Sequence, residues 1–191
     1  MKIDGDLSKL NRKTRIIILV GESGAGKSTL AKLIDLPDSW FVSSGLLIDI
    51  IVKKGLPVNH DTIHATANEK YEEDPYWQIP YMFQVLDKTG LLLLDGPRRT
   101  DEVKRVLELC PESAIVKVVT GLRGRQERLN KRDGVDKDAF TRITTDEKSE
   151  TGLVDDLLTM ADITIENDGS LEDLRNVARE MLMRIGRLNP S

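Results

Sequence analysis

The chain has 191 residues and a formal net charge of −4, with 39% apolar and 31% charged residues. That length suits one domain with a real core, and the acidic balance argues against a general nucleic-acid binder. Cys110 is the single cysteine, which excludes an intrachain disulfide or a cysteine metal cluster and fits a reducing cytoplasm; no apolar run approaches the roughly 20 residues that span a bilayer.

In chain order, "MKIDGDLSKLNRKT" (1–14) lacks the apolar core of a signal peptide and predicts a polar N-terminal arm. "RIIILV" (Arg15 to Val20) predicts a strand buried on both faces, and a helix should follow from Lys27 to about Asp35. "WFV" (Trp40 to Val42) predicts a second strand, "LLLLD" (Leu91 to Asp95) a third, "AIVKVVT" (Ala114 to Thr120) a fourth and "DITIEN" (Asp162 to Asn167) a fifth. Helical patterns lie between them at Asp101 to Leu109, Gly124 to Arg132 and Asp173 to Ile185. Thr100 reads as a hydroxyl cap, with Asp101 and Glu102 as first-turn acids facing the exposed amides. Strands alternating with helices predict an α/β three-layer sandwich around a five-stranded parallel sheet, residues 15–191 forming one domain. Two stretches break the alternation. Residues 43–89 are too long for one crossover, and residues 124–160 are polar and broken around Gly134; both read as insertions able to close over a site.

"GESGAGKS" (Gly21 to Ser28) matches G-x-x-x-x-G-K-[ST] between a predicted strand and a predicted helix. Glycines let successive N–H groups turn toward phosphate oxygens, and the helix adds its positive end. Gly21, Gly24, Ala25, Gly26, Lys27, Ser28 and Thr29 are therefore the candidate ATP cradle. Lys27 would reach the β- and γ-phosphates and the Ser28 hydroxyl would bind Mg²⁺. In such domains a second apolar strand ends in an acid on the metal side; "LLLLD" has that form and makes Asp95 the second candidate metal residue.

In "LLLLDGPRRTDEV", Arg98 resembles the arginine that follows Asp-Gly in adenylate kinases and related P-loop nucleoside monophosphate kinases, where it grips the acceptor phosphate. "FVSSGLL" (Phe41 to Leu47) is similar to the opening of their acceptor-binding insertion, and "RQERLNKRD" (Arg125 to Asp133) to the first helix of their lid. "ADITIENDGSLEDL" (Ala161 to Leu174) is similar to the closing strand and loop of dephospho-CoA kinases and of archaeal adenylate-kinase-related proteins. The resemblance implies an acceptor-binding insertion at 43–89 and a lid at 124–160. It implies Arg98, Arg128 and Arg132 as catalytic cations, with Arg142 from the return helix, and Asn167 in the loop that passes the adenine. Arg125, Arg128 and Arg132 share one helix face, which a charge-stabilising lid requires.

Three features leave alternatives open. Where the family pattern has an arginine in the acceptor segment, this chain has Asp49. It could repel a phosphate, activate a hydroxyl, or face solvent and pair with Lys53. Arg99 could serve the second substrate or pair with Asp101 or Glu102. Five of the eight aromatic residues (Tyr71, Tyr76, Trp77, Tyr81 and Phe83) fall within the first insertion. They either stack on a base or fill a small core. The expectation is a cytoplasmic, Mg²⁺- and ATP-dependent kinase for a small acceptor, most simply a nucleoside monophosphate. A hydroxyl kinase resembling dephospho-CoA kinase and a slowly hydrolysing nucleotide switch are the alternatives.

Overall fold

The computed structural model describes residues 2–97, 99–134, 136–138, 140–141, 144–145 and 152–187; the side chains of residues 37, 60, 61, 132, 133 and 152–155 lie outside the description. Arg98 and Arg142, both singled out by sequence, are outside the described residues, as is the side chain of Arg132.

Six strands form one sheet: β1 (Lys2–Gly5), β2 (Ile16–Val20), β3 (Trp40–Val42), β4 (Leu92–Asp95), β5 (Ser113–Val119) and β6 (Ile163–Glu166), in the spatial order β1-β6-β5-β2-β4-β3. Eight helices accompany them among the described residues. They are α1 (Lys27–Ile34), α2 (Ser43–Lys53), α3 (His60–Glu73), α4 (Ile79–Thr89), α5 (Thr100–Leu109), α6 (Leu122–Asp133), α7 (Gly152–Thr159) and α8 (Leu171–Arg184). The strands β3, β4, β2, β5 and β6 run parallel, and β1 is antiparallel to β6.

The expected five-stranded parallel sheet is therefore a six-stranded mixed one, and the polar arm is its extra edge. Lys2 pairs with Glu166 and Gly5 with Ile163. The strand is short, largely exposed and opens on Lys2, as edge strands often are. Four residues are too few to show a period, so the pairing is invisible until β6 offers its free edge. The chain then returns through a 3₁₀ turn at Leu7–Lys9, and Leu10 enters the core with only 3% exposure.

β2 explains the layering. All five of its residues are buried, because it lies between β4 and β5 with helices on both faces. Ile17 and Leu19 pack with Leu30, Ile34, Val177 and Met181 of α1 and α8, while Ile16, Ile18 and Val20 pack with Met82, Leu86, Val103 and Val106 of α4 and α5. Leu157 of α7 joins the second cluster, so the return side of the 124–160 segment is rooted in the core.

Two helix starts differ from expectation. Ser170 caps α8 in a reciprocal pair with Asp173, which starts that helix at Leu171. Thr100 is not a cap; it is the first residue of α5 and is buried, while Asp101 accepts the Glu102 amide at 2.9 Å. Replacing Leu10 with Ala should cost about 2–4 kcal/mol in a urea titration, the usual scale for emptying a core leucine site. A loss within error of zero would mean that residues 1–14 are an arm after all.

Candidate active site

The parallel strands end on one edge, and the loops leaving that edge carry the predicted site residues. From β2 the chain passes directly into the glycine loop and then α1. Gly21 and Gly26 hold φ values of 145° and 110°, which L side chains rarely adopt. A Cβ on Gly21 would lie 2.3 Å from the Val118 carbonyl oxygen, and one on Gly26 would lie 2.2 Å from Asn167 Nδ2. Both positions therefore require glycine for space as well as conformation. No side chain caps α1, so its first amides are left to the loop side, and Ser28 and Thr29 are exposed on its first turn. Lys27 Nζ donates to the carbonyls of Gly21 (2.7 Å) and Glu22 (3.2 Å), spanning the loop.

The loop is clamped from outside. Ala25 is buried, and its carbonyl oxygen accepts Asn167 Nδ2 at 2.8 Å and Arg128 Nη1 at 3.1 Å. Thr120 Oγ1 lies 3.0 Å from both the Ala25 and Asn167 carbonyl oxygens and accepts Arg128 Nη1 at 3.0 Å. Arg128 Nη2 donates to the Asn167 carbonyl at 2.7 Å. One helix turn earlier, Arg125 Nε donates to the Ser23 carbonyl at 2.8 Å and Nη1 pairs with Glu22 Oε1 at 2.5 Å. The Arg125 guanidinium also lies over the Phe140 ring, 5.7 Å from its centre.

This geometry corrects the reading of the arginine face. Arg125 is not part of a solvated cationic surface: its side chain is 2% exposed and ties α6 to the cradle. Arg128 is spent on backbone carbonyls. Arg123, by contrast, is exposed and pairs with Glu127 at 2.9 Å. The physical reason is that bare loop carbonyls need donors when a helix covers them, and a guanidinium supplies five. Asn167 joins the site by its buried side chain, through the cradle carbonyl.

Asp95 ends β4, opposite Leu19 of β2 and Val42 of β3. It is 3% exposed, and its Oδ2 has no hydrogen-bond partner among the described residues. A Cβ on Gly96 would lie 3.6 Å from Lys27 Cε, so the turn after Asp95 passes beside the lysine. A buried, unsatisfied carboxylate oxygen is costly unless a cation or ordered water completes it. Asp95, with the exposed Ser28 hydroxyl across the cradle, could hold a divalent cation by the chemistry of its donors.

Beyond the turn, Arg99 forms a two-pronged pair with Asp101 (Nε–Oδ1 3.0 Å, Nη2–Oδ2 2.7 Å) and lies over the Tyr71 ring at 4.9 Å. Those hydrogen bonds hold the Asp101 carboxyl below its ordinary range. Asp49 is exposed on α2. Sequence reasoning missed Glu22, Thr120 and Glu102. Glu102 is the one with a visible signal: it stands four residues before Val106, on the face of α5 that also buries Val103.

The fold is similar to that of a solved kinase and of a second solved protein. A gluconokinase from Sinorhizobium meliloti superposes with a TM-score of 0.54 at 16% identity, covering 92% of this chain and 95% of that one. The Thermus thermophilus protein TT1252 gives 0.57 at 18%, covering 88% and 96%. The chain matches no protein-family model. It is 30% identical over 164 residues to a UPF0200 protein of Methanoregula boonei, covering 83% of this chain and 90% of the relative, and it belongs to the UPF0200 family. It is also 25% identical over 182 residues to a UPF0200/UPF0201 protein of Archaeoglobus fulgidus. That match covers 91% of this chain but only 56% of the relative.

Replacing Arg125 with Ala should cost about 3–5 kcal/mol, because it removes the partner of a paired charge and strips donors from the loop. Urea denaturation measures it. A cost below about 1 kcal/mol would mean that the pair with Glu22 behaves as a surface pair.

Proposed function

We propose that the protein is an ATP-dependent phosphotransferase for a small molecule, with a nucleoside monophosphate as the acceptor class. The observation that carries this reading is the buried Asp95 carboxylate, whose Oδ2 has no hydrogen-bond partner among the described residues, one residue before a turn that passes Lys27 at the mouth of a glycine loop. Gly21, Gly24, Ala25, Gly26, Ser28 and Thr29 present their backbone to the triphosphate, and Lys27 exchanges loop carbonyls for phosphate oxygens. Ser28 and Asp95 hold Mg²⁺, which when bound neutralises charge on the transferring group. Arg128 and Asn167 keep the cradle in shape. Arg98 and Arg132 serve the acceptor and the transferred group by resemblance to the nucleoside monophosphate kinases. Residues 43–89 form the acceptor-binding insertion, and the part of 124–160 beyond α6 forms the lid.

A hydroxyl acceptor is the second reading, favoured by the fold likeness to a gluconokinase. Asp49, exposed on α2, is the candidate base for it, whereas a phosphate acceptor needs none near neutral pH.

ADP release with a panel of nucleoside monophosphates, nucleosides, dephospho-CoA and gluconate separates these readings. A nucleoside monophosphate should give the highest turnover, and Lys27→Ala should lower it at least about a hundredfold, the scale of losing one preorganised electrostatic donor. ATP hydrolysis indifferent to every acceptor would favour a nucleotide switch instead.

A further inference from the structure

Away from the cradle, one buried titratable side chain has no part in the chemistry above. Glu102 is fully buried on the first turn of α5, three residues after Arg99. Its Oε2 accepts the Tyr71 hydroxyl of α3 at 3.4 Å. Gln78, which leads into α4 and is also buried, donates Nε2 to the same Tyr71 oxygen at 2.9 Å. Arg99 lies over the Tyr71 ring, and Trp77 meets that ring edge-on with centres 6.1 Å apart. Three helices thus meet through one tyrosine: α3 and α4 of the insertion, and the helix that begins at the acceptor turn.

The cluster is poorly satisfied. Glu102 Oε1, Gln78 Oε1 and Trp77 Nε1 are buried without a hydrogen-bond partner among the described residues. Burying such atoms unpaired is unfavourable, so an apolar contact would join these helices more firmly. Stability alone does not account for a carboxyl here. What a carboxyl adds is a group whose enclosure between these helices is tolerated when neutral and costly when ionised, so that their docking responds to its proton.

We propose that Glu102 is a positioning residue for the acceptor site, fastening the insertion helices α3 and α4 to the acceptor turn through Tyr71 and Gln78 in its protonated form. The acceptor role of the insertion rests on the proposed function; the fastening itself does not. Among the described residues, the titratable and charged groups facing Glu102 are Tyr71 from α3 and Arg99 and Asp101 from its own side. Gln78 and Trp77 are neutral. Burial raises the Glu102 carboxyl to about 7, Tyr71 opposes that rise, and Asp101 adds to it. Arg99 cannot offset an ionised Glu102 fully because both prongs of its guanidinium are on Asp101. A carboxyl that is more basic in the folded state stabilises the fastened form fully below its ordinary value, and that contribution is lost as the pH rises through about 7.

The test begins without substrate. In a Trp40→Phe background, Trp77 is the sole tryptophan, and its emission should titrate with a midpoint near 7. Hydrogen exchange of α3 on the otherwise native chain should rise over the same range and does not depend on that background folding. Glu102→Gln keeps a neutral acceptor for Tyr71 and should abolish both transitions, leaving α3 protected at pH 8. Glu102→Ala should leave α3 unprotected at every pH. With ATP and whichever nucleoside monophosphate of the panel is turned over, Glu102→Ala should raise the acceptor KM about tenfold, the effect of one lost buried hydrogen bond. The ATP KM and kcat should stay within about twofold, and Glu102→Gln should restore the acceptor KM. Absence of a pH transition, one that persists in Glu102→Gln, or equal effects on both substrates would overturn the assignment. If no acceptor is used, the proposed function fails while the emission and exchange titrations still decide the role of Glu102.

Discussion

The carbonyl oxygen of Ala25 is the point on which the rest of the site depends. A glycine loop between a strand and a helix has many accessible conformations, and each glycine loses more freedom on folding than any other residue. Here donors from three separate parts of the chain meet on one loop oxygen or its neighbours: Thr120 after β5, Arg128 on α6 and Asn167 after β6. The same contact that orders the loop also joins the two strands beyond it to the helix that covers it. Arg125 repeats the device one turn away, on Ser23 and Glu22.

That arrangement divides the cations of α6 by purpose. Arg125 faces the loop and is removed from solvent, and the half-buried Arg128 also donates to loop carbonyls. The amino-acid type is the same as in a charge-stabilising lid, and the spacing is the same, but the partner differs. The two ends of the 124–160 segment are anchored, α6 on the cradle and α7 through Leu157 in the core beneath α5.

A second contrast separates the two buried carboxylates beyond β4. Asp95 sits at the strand end, where the sheet opens toward the cradle, and its Oδ2 has no hydrogen-bond partner among the described residues. Glu102 lies seven residues on and is enclosed by Tyr71, Gln78 and its own helix, which favours the proton instead. The difference is one of surroundings: Asp95 lies at the open end of a strand, whereas Glu102 is enclosed between helices, where burial favours the neutral form.

Much of this was legible in one dimension. Five of the six strands follow from short β-branched or leucine runs bounded by turn residues, and the cradle from the spacing of Gly21, Gly26, Lys27 and Ser28. Asp95 could be named because an acid ending an apolar run has few places to go. These are local properties, set by periodicity and by the stereochemistry of glycine. The edge strand Lys2–Gly5, the burial of Arg125, the use of the Asn167 side chain and the Tyr71–Glu102 contact were not legible. Each depends on a partner between 31 and about 160 residues away in the chain, and no local pattern encodes which long-range neighbour will supply the missing hydrogen bond. The amino-acid sequence determined where a phosphate cradle could form; only the tertiary packing decided which polar side chains would be consumed in holding it and which would remain open to a ligand.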